Sequence, residues 1–224
     1  MAQLDRDGEV FVLDLGTDEN RFNPDSVAEI SRLLDEVEVA DAPRALVLAA
    51  SGKFWSNGLD LEWMAANASD IPPHVDAVHA LLGRVLTLPL TTVAAIQGHC
   101  FAAGAMLALA CDFRVMRADR GFFCLPEVDI HIPFTPGMAA LIQAKLSKKS
   151  AHEAMTTGRR YGGTDALAAS IVDVVAGEGE VLSSALAIAR PLVGKDGTTM
   201  AAIKRGMYAP AIEALAIPQR GGLG

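Results

Sequence analysis

Residues 91–118 read TTVAAIQGHCFAAGAMLALACDFRVMRA, and the changes of period within them decide the fold class. Thr91 to Gln97 is a continuous run of apolar and β-branched residues, long enough for a strand and too short for a helix. Gly98 to Ala102 reads as a turn, Ala103 to Ala110 as a helix of small apolar residues, and Phe113 to Ala118 as a returning strand. A strand that is apolar on both faces must be covered on both, the condition of parallel strands joined by crossover helices.

The same alternation extends outward. Upstream, Glu9 to Leu15 reads as a strand, and Asn23-Pro24-Asp25-Ser26 supplies helix-start chemistry before Val27 to Val39. Asp41-Ala42-Pro43 stops that helix. Ala45 to Ala50 is a buried strand, Ser51 to Asp60 a glycine-bearing loop opening a short helix, and Pro72 to Leu88 a helix closed by Pro89. After about Ser147 helical patterns dominate, with one strand candidate at Ile171 to Val175 and a last helix at Ala209 to Leu215. The expectation is an α/β core over residues 1–161 and a short C-terminal helical region over residues 162–224, with Gly221 to Gly224 as a frayed tail.

Composition narrows the function. Nineteen Lys and Arg against 27 Asp and Glu leave a formal charge of -8, which disfavours nucleic acid as the main partner. The longest apolar run, Phe101 to Cys111, is far short of the roughly 20 residues of a membrane span, so no membrane partner is expected. The opening MAQLDRDGEVFVLDLG carries acid where a signal peptide carries basic residues. Cys100, Cys111 and Cys124 form no C-x-x-C pair, and the histidines show no ligand spacing, His74 and His79 being five apart. A reducing, cytoplasmic setting without a metal or a disulfide framework is expected.

Gly52-Lys53 lacks the upstream glycine of a P-loop, no G-x-G-x-x-G follows a strand, and Ser56 lacks a nucleophile elbow. Nucleotide hydrolysis, dinucleotide redox chemistry and serine hydrolysis lose their support. Two strand–turn–helix junctions remain, Lys53 to Leu61 and Gly98 to Met106. Each presents free backbone N–H groups at a helix start, and one N–H from each would form an oxyanion hole if the junctions converge.

With Leu125-Pro126-Glu127-Val128-Asp129-Ile130, these junctions resemble the crotonase (enoyl-CoA hydratase/isomerase) family over roughly Val10 to Val175. Ser56-Asn57-Gly58-Leu59-Asp60-Leu61 is similar to the family's S-A-G-x-D-L segment, and Cys111-Asp112-Phe113-Arg114 to its C-D-x-R strand start. The resemblance implies a spiral of ββα units with a short C-terminal helical region, and an oxyanion hole from the N–H groups of Leu59 and Ala103. It implies a catalytic carboxylate at Glu127, and methionine, Met106, where hydratases carry their other glutamate. One retained carboxylate is the pattern of Δ3,Δ2-enoyl-CoA isomerases. Asn20-Arg21-Phe22-Asn23-Pro24 and Asp119-Arg120-Gly121 resemble the peroxisomal-type branch.

The resemblance further places Arg21, Ser56, Asn57, Gly58 and Asp60 at the CoA moiety. Met106, His131 and Phe134 are placed at the acyl pocket, His131 standing where the family commonly has glycine. The substrate is then an acyl-CoA thioester, with no cofactor beyond the CoA it carries, and the assembly a homotrimer or hexamer. By the family's measure the chain ends early, which bears on that assembly. The other readings are an enoyl-CoA hydratase or another crotonase reaction, opposed by Met106, and a non-catalytic acyl-CoA-binding protein, opposed by the presence of Glu127 beside both junctions.

Overall fold

The computed structural model describes residues 2–219. Gly221 to Gly224, read above as a tail, lie outside them. The chain winds by repeating one unit: a strand for a large sheet, a short strand for a small sheet, then a helix. A polar edge strand, β1 (Gln3–Asp7), precedes the first turn, which is β2 (Val10–Asp14), a single bridging residue, Phe22, and α1 (Pro24–Val39). The second is β3 (Ala45–Ala49), β4 (Phe54–Ser56), and the helices α2 (Leu61–Ala66) and α3 (Ile71–Thr87). The third is β5 (Thr91–Ile96), β6 (His99–Phe101) and α4 (Ala103–Ala110), and the fourth β7 (Phe113–Arg117), β8 (Phe123–Cys124) and α5 (Pro136–Lys145). Helices α6 (Lys148–Thr157) and α7 (Gly163–Ala168), strand β9 (Val174–Ala176), and helices α8 (Val181–Ala189), α9 (Gly197–Met207) and α10 (Ala209–Leu215) complete the described chain.

The large sheet has the order β1-β2-β3-β5-β7-β9, antiparallel only between β1 and β2. Parallel pairing sets Val47 against Val12 on one side and Val93 on the other, so every residue of β3 and β5 is buried. Leu46, Leu48, Ala94 and Ile96 face the interior of the spiral, while Val47, Val93 and Ala95 face Val181, Ala185 and Ala189 of α8. Helix α4 lies inside the spiral, and all eight of its residues are buried, which explains a sequence apolar on every side.

Two sequence readings change. The expected turn at Gly98–Ala102 is mostly β6, and the loop at Ser51–Asp60 contains β4; with β8 they form the small parallel sheet. Strands of two or three residues are too short to establish a period. Strand β1 also carries no apolar alternation, because QLDRD lies at the sheet edge and is mostly exposed.

The C-terminal helices are tied to the core by a buried charge. Lys204 of α9 gives its Nζ hydrogens to the Leu88 and Leu90 carbonyls and to Asp112 Oδ2 at 2.7 Å. The same Asp112 oxygen accepts the Thr92 N–H and hydroxyl. Truncating one partner strands the other in the interior. Lys204→Met is expected to lower unfolding free energy by roughly 3 kcal/mol, measured by urea titration; a loss below about 0.5 kcal/mol would class the pair with surface ion pairs.

Candidate active site

Two backbone N–H groups are aimed by the hydrogen bonds of their own peptide units. The Gly58 carbonyl accepts the Phe22 N–H at 2.7 Å. Since a trans peptide holds C=O and N–H on opposite sides of one plane, the Leu59 N–H points away from Phe22. The Asp60 N–H then returns to the Phe22 carbonyl at 2.9 Å, closing the bridge between Phe22 and Leu59. In α4 the Ala102 carbonyl accepts the Met106 N–H at 3.1 Å, so the Ala103 N–H points out of the helix start. As the first residue of the helix, Ala103 has no intrahelical acceptor for that N–H.

The two donors are neighbours because the glycine between them has no side chain. A Cβ on Gly58 would stand 2.9 Å from the Ala103 nitrogen and 2.9 Å from the Ala102 Cβ, and Gly58 also has φ +78°. Gly104 approaches as closely, its missing Cβ falling 2.6 Å from Ser56 Oγ. Ala102 takes φ +50° and ψ −127°, a conformation that costs an alanine of order 1–3 kcal/mol and is spent at the entry to the donor helix.

A cavity of about 440 Å³ opens against these groups, lined among others by Leu59, Ala103, Met106, Glu127 and Met138. Glu127 is 7% exposed, and its Oε2 is buried without a hydrogen-bond partner. Burial lifts its pKa to about 7, against a smaller opposing effect of its own backbone N–H. It begins a tight turn held by the Asp129 and Ile130 N–H groups on the Pro126 carbonyl and by the Ile132 N–H on the Glu127 carbonyl. Met106, 1% exposed, presents a thioether to the same space.

The remaining sequence candidates separate into wall, mouth and scaffold. Asn57 lines the cavity and gives its amide N–H to Glu19. Arg21 stands at the mouth with Glu62 at 3.0 Å and Glu19 beside it, which raise its pKa further. Ser56, Gly58 and Asp60 do not line the cavity. Ser56 is fully buried, giving its hydroxyl to the Asn20 carbonyl and accepting the Gly58 N–H, while Asp60 caps α2 through the Trp63 N–H. His131, placed above at the acyl pocket, is exposed, with φ +57° turning it out of the chain path, and Ile130 and Ile132 on either side line the cavity instead. Phe134 packs half-buried against the core and does not line the cavity.

Arg160, on the cavity wall with its guanidinium 5.9 Å from the Phe101 ring, was not a sequence candidate. It is placed by the bridge of its neighbour Tyr161 to Phe123, a pairing with no local signal. Among the described residues no group of three or more His, Cys, Asp or Glu is arranged to hold a metal, and no helix is long and apolar enough to cross a membrane.

Residues 8–219 match the family model described as enoyl-CoA hydratase/isomerase. The chain is 34% identical over 221 residues to the peroxisomal enoyl-CoA delta isomerase 2 of Arabidopsis thaliana, covering 93% of this chain and 92% of that protein. Among solved structures, human mitochondrial delta3-delta2-enoyl-CoA isomerase superposes with a TM-score of 0.87 at 26% identity, over 96% of this chain and 85% of that one. A probable enoyl-CoA hydratase of Mycobacterium tuberculosis superposes with a TM-score of 0.89 at 25% identity, over 96% and 91%.

A raised carboxyl pKa links stability to pH with a definite sign. The folded chain holds the Glu127 proton up to about pH 7, whereas the unfolded chain releases it at the ordinary carboxylate value near 4.5. Folding therefore loses stability as pH climbs between those values, by roughly 3 kcal/mol in all. Glu127→Gln, which cannot ionise, is expected to be more stable than the parent at pH 8 by about that amount and equal to it near pH 4. Denaturant titrations at the two pH values check this; equal stability at pH 8 would mean that the carboxylate is solvated.

Proposed function

We propose that this chain, which belongs to the enoyl-CoA hydratase/isomerase family, is a Δ3,Δ2-enoyl-CoA isomerase acting on unsaturated fatty acyl-CoA thioesters. The observation that supports the reading is a buried, unpartnered carboxylate, Glu127, in a cavity that Leu59, Ala103 and Met106 also line.

In this mechanism the thioester oxygen accepts both N–H groups, and Glu127 removes a proton from C2 of the 3-enoyl chain. Negative charge spreads from C2 over the oxygen and C4, and the two N–H groups stabilise it more than they stabilise the neutral substrate. The protonated Glu127 then delivers the proton to C4, leaving the double bond between C2 and C3. Atoms balance with no water, redox partner or cofactor beyond the CoA of the substrate. The base operates near neutral pH because its carboxylate is poorly solvated.

Hydration needs a water to be activated as well as a proton to be moved. The thioether of Met106 holds no such water, and Glu62, the other carboxylate lining the cavity, is mouth-exposed and paired to Arg21. Arg21 and Arg160 both line the cavity, and in this reading their guanidinium groups bind the phosphates of CoA. Assembly as a homotrimer or hexamer and action in a reducing, cytoplasmic compartment belong to the same reading; the three cysteines are free, buried thiols.

The test is separate incubation with a 3-enoyl-CoA and a 2-enoyl-CoA, following conjugated thioester and 3-hydroxyacyl-CoA. Conversion of the former to conjugated thioester, with little hydration of the latter, is expected, and Glu127→Gln should reduce it by about 10²-fold to 10⁴-fold. Hydration of the 2-enoyl-CoA as fast as isomerisation would overturn the assignment. The proton-abstracting form is the carboxylate, so kcat/KM for isomerisation should rise with pH, with its midpoint near the about 7 of Glu127. A flat profile from pH 5 to 9 would remove Glu127 as the base.

A further inference from the structure

The Leu59 donor is held by a segment that meets it through one isolated bridge residue. That residue, Phe22, uses its N–H on the Gly58 carbonyl and its carbonyl on the Asp60 N–H. The second lone pair of the carbonyl is taken by His74 of α3, whose Nε2 lies 3.0 Å away. Because a carbonyl only accepts, Nε2 carries the proton. Burial lowers the His74 pKa and keeps the ring neutral, so Nδ1 is bare, and it is buried without a partner. An apolar residue would avoid that unsatisfied nitrogen, so packing alone is a poor reason for histidine here.

The ring is also braced from the other side. Trp63 of α2 meets it edge-on at 4.9 Å between centroids, and the Trp63 N–H is held by Asp60. The contacts close a loop from His74 through Phe22, the Gly58–Asp60 segment and Trp63 back to His74. We propose that His74 is a positioning residue for the oxyanion hole: its Nε2–H fixes Phe22 to α3, and Phe22 in turn aims the Leu59 N–H into the cavity. The proposal rests on the isomerase reading for its kinetic consequence and on the hydrogen bonds and ring contact around Phe22 for its structural one.

The experiment compares His74→Leu, which removes the donor, with His74→Gln, which keeps an N–H donor at similar reach. For His74→Leu, kcat with a 3-enoyl-CoA should fall about tenfold or more at nearly unchanged KM, short of the 10²–10³ for outright loss of an oxyanion donor. His74→Gln should recover most of it. In ¹H–¹⁵N spectra the Leu59 amide should move in His74→Leu while the Ala103 amide stays, an outcome readable even if the protein turned over no 3-enoyl-CoA. An unmoved Leu59 amide, or equal losses in both variants, would overturn the proposal. Should His74→Leu not fold, the ¹⁵N shifts of His74 in the parent protein decide: an Nε2–H tautomer is expected, and an Nδ1–H tautomer overturns it.

Discussion

Backbone meets backbone at Gly58 with no room for a carbon atom between, and the arrangement of the spiral follows from that contact. A Cβ there would fall 2.9 Å from the Ala103 nitrogen. The same requirement recurs along the spiral: a Cβ on Gly98 would stand 2.2 Å from the Lys53 carbonyl oxygen, and one on Gly121 2.6 Å from the Gly98 carbonyl carbon. Lys53, Gly98 and Gly121 occupy comparable places in successive turns, so the winding stacks chain on chain where other folds interpose side chains. A side chain at any of these glycines would have to push the stacked backbones apart.

Close stacking has an electrostatic consequence. It lets two peptide units turn their N–H groups toward one side while backbone hydrogen bonds on the opposite sides of the same units fix their direction. It also removes water from Glu127, whose carboxylate then becomes a stronger base than an exposed one. The cost of burying an unpartnered carboxyl and the cost of the Ala102 conformation fall on the same few residues. Stability is lowered where the chemistry is placed, and the sheet, with its fully buried β3 and β5, bears the difference.

Much of this was legible in the sequence for identifiable reasons. The buried strands at Ala45–Ala49 and Thr91–Ile96 are continuous apolar runs, and Asn23, found capping α1 with Ser26 in a reciprocal box, is visible as a local pattern. The small sheet is hidden because its strands are two or three residues long, and the bridge of Phe22 to Leu59 beside it is a single residue pair. His131 was misplaced because a residue's distance from Glu127 along the chain says nothing of direction once a left-handed residue reverses the path. Arg160 and His74 are positioned by partners tens of residues away, Phe123 through Tyr161 and Phe22 directly, and no window of sequence contains both ends of such a contact.

The division of labour between backbone and side chains bears on how one frame supports different reactions. In the proposed mechanism the oxyanion donors at Leu59 and Ala103 are main-chain atoms, which depend on Gly58 keeping its conformation and on α4 beginning at residue 103 rather than on the chemistry of their own side chains. The choice of reaction then falls on what projects into the cavity from two places, the turn at Glu127 and the helix at Met106. A carboxylate at both serves to activate water and deliver a proton; a carboxylate at one, facing a thioether, serves to carry one proton between two carbons. Under the proposed function the deciding position is Met106, which lines the cavity from a helix whose eight residues are all buried. On that reading a single methionine, 1% exposed, both fills the core and leaves Glu127 as the one acid–base group of the reaction.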